Sequence, residues 1–244
     1  MTYRFLPPRL SKATIEDHSA PAWKLSPDVP LVTQLDAETC RDLAEVVLQA
    51  HEAGQSWESR TRYAGPTPWN VNNKFRSSKN LPTSLPSLSA GYDALHAYAR
   101  SAAARMGLGT ETHELSAVDE QCLVYQTGDH IGDHADDSAL APGEAGEAEW
   151  NVIKPDRHLV GILWLTTQTP GGSGRHEFAG GTFRFNSLVH QETGEPLDIR
   201  PTAGSMIVFP ANPWFRHEVL TVTAGTRIAL TRWWKASPIR GASR

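Results

Sequence analysis

At about Leu115 the apolar spacing of this chain switches from a helical period to short, β-favouring runs broken by glycine and proline, and this switch restricts the folds open to it. The runs are Gln121–Tyr125, Ile131–Asp136, His158–Thr167, Gly181–Phe185, Leu197–Arg200, Ser205–Phe209, Arg216–Val222 and Arg227–Trp234. So many short strands separated by turn residues predict a sandwich or barrel. Upstream, Asp36 is placed to cap a helix running to about His51, with Cys40, Leu43, Val46, Val47 and Ala50 on one face and Gly54 as the stop. A second helix is expected from Ser87 to Met106, ending at Gly107. Helices followed by strands predict a mainly β chain with supporting helices (α+β). The expected architecture is a double-stranded β-helix, or cupin-like jelly roll, with the helices against one sheet.

A chain of 244 residues suffices for one generous domain. Prolines at 7, 8, 21, 27 and 30 predict an irregular N-terminal arm over residues 1–30. A single domain is expected over 31–236, with helical support at about 36–107, a jelly-roll core at about 115–235, and a tail over 237–244. The glycine-, alanine- and glutamate-rich loops 137–155 and 168–179 are long enough to be functional, and both are expected beside the site. A net charge of −4 and a pI of about 6.2 give no basic footprint for nucleic acid. The longest apolar run, Leu159 to Leu165, is too short to span a bilayer, so no membrane partner is expected. The N-terminus lacks an apolar core of signal-peptide length, and Cys40 and Cys122 both lie in apolar segments. Buried free thiols and a cytoplasmic location are expected.

Within the β region, Tyr125 to Asp136 reads Y-Q-T-G-D-H-I-G-D-H-A-D. Its end, His134-x-Asp136, puts an imidazole and a carboxylate two residues apart. On an extended strand side chains at i and i+2 leave the same face, so both can reach one metal. His217, in the apolar run F-R-H-E-V-L-T-V, is the candidate third ligand. Two histidines and a carboxylate leave three adjacent octahedral positions open, as non-haem Fe(II) oxygenases require. Arg227, in G-T-R-I-A-L-T-R-W-W, has its own physical rationale. A dicarboxylate that chelates the metal at one end needs a fixed cation at the other, and a guanidinium supplies a planar fork for it. By alternation Arg227 shares a face with Ala229, Thr231 and Trp233, so Thr231 is placed to donate a second hydrogen bond to that carboxylate.

Read in order, these features resemble the Fe(II)/2-oxoglutarate dioxygenase superfamily, in its prolyl 4-hydroxylase-like branch. The family segment Y-x-x-G-D-x-[FI]-x-x-H-x-D is matched by Tyr125, Gly128, Asp129, Ile131, His134 and Asp136, and the likeness extends over roughly Pro30 to Lys235. The resemblance implies that His134, Asp136 and His217 ligate Fe(II) and that Arg227 pairs with the distal carboxylate of 2-oxoglutarate. It also implies O2 as oxidant, with ascorbate as a supporting reductant, and oxidative decarboxylation to succinate and CO2 coupled to hydroxylation of an unactivated C–H bond. Related halogenases lack the ligand carboxylate; Asp136 is present, which favours hydroxylation. Tyr125 is a further candidate for the co-substrate, or else a core tyrosine. Asp133 and Asp137, at odd offsets from His134, are expected on the opposite face.

For the substrate, Arg76 and Arg157 are candidate carboxylate partners, Trp164, Trp214, Trp233 and Trp234 candidate pocket walls, and Trp233 is favoured over Trp234 by alternation. Asp137, Glu144, Glu147 and Glu149 make an acidic loop suited to an amino group, or simply a solvated surface. The leading expectation is hydroxylation of a small molecule, a free amino acid or a natural-product intermediate. The alternatives are a peptidyl-prolyl hydroxylase, suggested by Arg76-Ser77-Ser78, a cupin-like metalloenzyme that does not use 2-oxoglutarate, and a non-catalytic jelly-roll binding protein.

Overall fold

The structure, a computed structural model, describes residues 3–12, 32–33, 35–62, 69–70, 72–109, 111–143 and 146–239. Two helices come first. Ala37–Glu52 begins where the Asp36 carboxylate accepts from the Thr39 amide at 2.9 Å, satisfying a donor that the first turn leaves unpaired. Its buried face comprises Cys40, Leu43, Ala44, Val47, Leu48 and Ala50, and Gly54 turns the chain away at φ +76°. The second helix, Leu88–Arg105, buries Leu88, Tyr92, Leu95, Ala99 and Ala102.

Two antiparallel sheets follow, facing each other as a jelly roll. The larger is ordered Val32–Thr33, Ser205–Pro210, Leu159–Trp164, Arg227–Pro238, His113–Tyr125, Lys79–Leu81, Trp57–Glu58. The smaller is ordered Tyr3–Phe5, Phe183–His190, His217–Val219, Ile131–His134, with Pro196–Ile199 also paired to Phe183–His190. Strand alternation divides the interior in two. Cys122, Val124, Ile228, Leu230 and Trp234 point to the helices, while Leu123, Tyr125, Ala229 and Trp233 point to the other sheet. Cys40 and Cys122 are free and buried, and burial pushes their thiols up to about 11 and about 12.

Several expected boundaries shift. The strand expected at 121–125 begins at His113 and pairs with Arg227–Pro238 along its length. The run 216–222 divides, His217–Val219 joining the smaller sheet and Val222–Gly225 a separate three-stranded sheet with Glu177–Gly180 and Thr167–Gln168. Residues 137–155 are largely a hairpin, Ser138–Pro142 against Ala148–Val152, rather than an irregular loop. Of the expected arm, Tyr3–Phe5 is a strand on Leu188–His190, and residues 9–11 run alongside Trp150, whose amide donates to the Arg9 carbonyl. Residues 13–31 lie outside the described residues. No helix among the described residues is long and apolar enough to cross a membrane.

Two glycines fix close approaches. A Cβ at Gly161, in the central Leu159–Trp164 strand, would lie 2.8 Å from the rigid Trp234 ring. At Gly204 φ is +82°, and a Cβ would lie 2.1 Å from the Leu35 carbonyl oxygen. Both penalties act together there, so Gly204→Ala is expected to cost about 2–4 kcal/mol, read as a lowered urea midpoint. An unchanged midpoint would show that the Leu35 turn can move aside.

Candidate metal centre and active-site cavity

His134 closes the strand Ile131–His134 and His217 opens its neighbour, and the ladder sets the two residues directly opposite each other. Their ring centroids are 4.3 Å apart. Each Nδ1 faces a backbone carbonyl at 2.9 Å, that of Gly132 for His134 and that of Phe215 for His217. A ring nitrogen facing a carbonyl must donate, so both Nε2 lone pairs are left free. His217 is further held by stacking on Phe183, centroids 4.8 Å apart at 29°.

Asp136 is not on the strand, which ends at His134. Its amide donates to the Ala211 carbonyl at 3.0 Å, and its own carbonyl accepts from Arg157 Nη1 at 3.1 Å. These contacts turn the carboxylate to within 3.7 Å of His217 Nε2, with Oδ2 buried and without a hydrogen-bond partner. One ligand atom from each of His134, Asp136 and His217 lies within 4.8 Å of the others. Two free imidazole nitrogens and an unsatisfied buried carboxylate oxygen form a donor set that suits Fe(II), since leaving that oxygen bare would be costly. Burial, then the neighbouring His217, pushes His134 down to about 4, and burial lowers His217 as well. Both rings are therefore neutral at neutral pH, the form that binds a metal.

The triad faces a cavity of about 480 Å³ between the sheets. Arg227 lies in its wall, only 2% exposed, with its guanidinium carbon 4.9 Å from the Tyr125 ring centroid. Its Nε has no hydrogen-bond partner, it faces no carboxylate among the described residues, and burial pulls it down to about 10. A dry guanidinium without an anion is costly, and a bound carboxylate would relieve it. Thr231 borders the same cavity, as do Arg76, Arg157 and Trp233. Arg157 stacks over Trp233 at 4.0 Å and is ion-paired with Asp119.

Other expected positions fall elsewhere. Trp164 does not line the cavity; it is fully buried, edge-on to Phe183. Trp214 packs against Phe5, and Trp234 lies on the helix side, where its Nε1 donates to His96. Asp133 does border the cavity, contrary to the alternation argument, and receives Arg216 Nη1 at 2.6 Å. The acidic loop offers no open anionic face among its described members. Asp137 is buried and accepts from Ser138, while Glu147 and Glu149 pair with Arg9. Glu144 lies outside the described residues. The sequence reading missed Asp119, Gln121 and Leu123, which the same alternation places on the Tyr125 face, and also Phe75, Leu140 and Trp150.

The profile of the 2OG-Fe(II) oxygenase superfamily matches residues 120–235. Among solved structures, a Pseudomonas putida prolyl-4-hydroxylase superposes with a TM-score of 0.55 at 21% identity, covering 91% of this chain and 96% of its own. The viral collagen prolyl hydroxylase of Paramecium Bursaria Chlorella virus-1, in its 2OG complex, gives 0.52 at 15% identity over 86% and 96%. A Trichoplax adhaerens prolyl hydroxylase, in complex with a hypoxia inducible factor oxygen degradation domain peptide, gives 0.55 at 13% identity over 91% and 87%. No curated protein matches the sequence. The profile match, the shared fold and the His-Asp-His cluster agree: residues 120–235 form a 2OG-Fe(II) oxygenase domain, and the protein is a dioxygenase with the fold that the prolyl 4-hydroxylases share.

Proposed function

We propose that His134, Asp136 and His217 hold the iron and that Arg227, with Tyr125 and Thr231 beside it, receives the distal carboxylate of 2-oxoglutarate. On this basis the chain hydroxylates an unactivated C–H bond of a small, amino acid-like molecule. The observation that carries this reading is the pairing, in one cavity, of a buried, unsatisfied carboxylate oxygen at the triad with a buried guanidinium that has no ion pair among the described residues. When bound, the iron supplies O2 activation coupled to decarboxylation of 2-oxoglutarate to succinate and CO2. The protein's part is placement. Arg227 fixes one end of the co-substrate so that its keto-acid end reaches the triad. Leu123, Val160, Ile162, Val219 and Ala229 form apolar walls that keep water from the reacting centre.

The size of the cavity and the hairpin that helps line it support the small-molecule reading. The hairpin 138–152 contributes Ser138, Ala139, Leu140 and Trp150 to the lining, so a volume of about 480 Å³ shared with 2-oxoglutarate leaves room for a compact substrate. A prolyl peptide is the second reading, favoured by the prolyl hydroxylases among the structural neighbours, one of them holding a peptide. Aerobic incubation with Fe(II), ascorbate, 2-oxoglutarate and pools of free amino acids or proline-containing peptides separates the two. Iron-dependent succinate with one oxygenated amino acid is expected. Oxygenation of peptides alone would replace the first reading with the second, and failure of anaerobic 2-oxoglutarate binding would overturn both.

A further inference from the structure

One buried-side cation of the cavity has no carboxylate paired to it among the described residues. Three carboxylates border it: Asp119 faces Arg157 and Lys154, Asp133 faces Arg216, and Asp136 belongs to the metal cluster. A ferrous dication, a dicarboxylate co-substrate, Asp136 and Arg227 cancel among themselves, with both histidines neutral. Arg60 is exposed. Arg76 remains, a cavity cation with no ion pair among the described residues; the carboxylate that acts on it, Asp136, already belongs to the metal cluster.

Arg76 is also held in place. Its Nε donates to Ser78 Oγ at 2.8 Å and its Nη2 to Gln121 Oε1 at 3.2 Å. Ser78 in turn donates to Ser59 Oγ at 3.0 Å, which also accepts from Asn80 Nδ2 at 2.8 Å. Ser59, Ser78 and Asn80 are all buried, so three polar side chains in the interior support one guanidinium. Neutral hydroxyl and amide partners orient the cation without discharging it, which leaves the fork able to take an anion.

The position differs from that of the co-substrate anchor. Gln121 and Tyr125 share the cavity face of one strand and lie four residues apart, about 13 Å by strand rise. Tyr125 underlies Arg227; Gln121 holds Arg76. We infer that Arg76 is a substrate-specificity residue that binds a carboxylate of the substrate, so that the substrate is an acid anchored at a cation distinct from Arg227. Arg157 does not share this role. Its charge is paired with Asp119 through Nη2 and its Nη1 donates to the backbone carbonyl of Asp136, leaving only Nε without a partner, which makes it a support for the metal cluster.

This inference rests on the proposed hydroxylase reading, and one calorimetric experiment separates their failures. Protein loaded anaerobically with Fe(II) and 2-oxoglutarate is titrated with free L-amino acids and with proline-containing tripeptides, each compared with its C-terminal carboxamide. At least one acid is expected to bind about tenfold or more tightly than its amide. That preference should vanish in Arg76→Gln, return in part in Arg76→Lys, and leave 2-oxoglutarate affinity unchanged. Preference among the free amino acids identifies a small-molecule carboxylate; preference among the tripeptides alone identifies a peptide terminus. The inference is overturned if no acid is preferred over its amide, or if the preference survives in Arg76→Gln. It is overturned equally if Arg76→Gln weakens 2-oxoglutarate as much as Arg227→Gln does. Wild-type protein that fails to bind 2-oxoglutarate would sink the underlying reading, and this appears before any panel compound is added.

Discussion

Asp136→Ala is expected to abolish stoichiometric Fe(II) binding, lowering metal affinity on the order of a hundredfold or more, and with it all succinate formation. The same substitution should leave the metal-free fold as stable as before or slightly more so. Asp136 Oδ2 is buried without a hydrogen-bond partner, so the carboxylate carries a desolvation cost that no hydrogen bond and only the attraction of Arg76 offsets. The contacts that place this residue run through its backbone, to Ala211 and from Arg157, and alanine keeps them. Competition binding with Mn(II) alongside thermal unfolding of the metal-free protein measures both halves. A variant that kept one metal per chain would remove Asp136 from the ligand set. A large loss of apo stability would instead identify it as a structural carboxylate.

Arg227→Gln should weaken 2-oxoglutarate on the order of a hundredfold or more while Mn(II) binding stays intact, because truncating one partner of a buried charge pair leaves the other uncompensated. Apo stability is again the discriminating control. Arg227 is buried with no carboxylate among the described residues, so removing its charge relieves desolvation. A structural arginine would behave the opposite way, with stability lost and co-substrate affinity unchanged. Activity that survived in Arg227→Gln would point to a metalloenzyme that does not use 2-oxoglutarate.

The site was legible where strand alternation governs it. On Arg227–Pro238 the pattern correctly put Arg227, Thr231 and Trp233 on one face and Trp234 on the other. The H-x-D pair was legible as a pair, but for a reason that holds only in part. The strand stops at His134, and Asp136 is brought back by Ala211 and Arg157, contacts between segments far apart in sequence that no local pattern encodes. Trp164 shows the other limit. Every residue of Leu159–Trp164 is buried, so hydropathy cannot mark a face; Trp164 shares the parity of the lining residues Val160 and Ile162 but lies at the strand end, beneath Phe183. The acidic segment 137–155 looked like a solvated loop because its partner, Arg9, lies near the start of the chain. Jelly-roll class and both helices followed from period and caps, whereas the strand ends depended on partners that only the folded chain supplies.

The pairing of residues 9–11 with Trp150 has a practical side. Trp150 is a wall of the reaction chamber, and both its amide and its carbonyl are bonded to this N-terminal stretch. A shortened clone that starts at the first helix would keep every proposed ligand and yet lose the outer segment that backs Trp150. Such a protein would still take up iron while holding its substrate loosely, and an affinity tag fused tightly ahead of Tyr3 risks a milder form of the same defect.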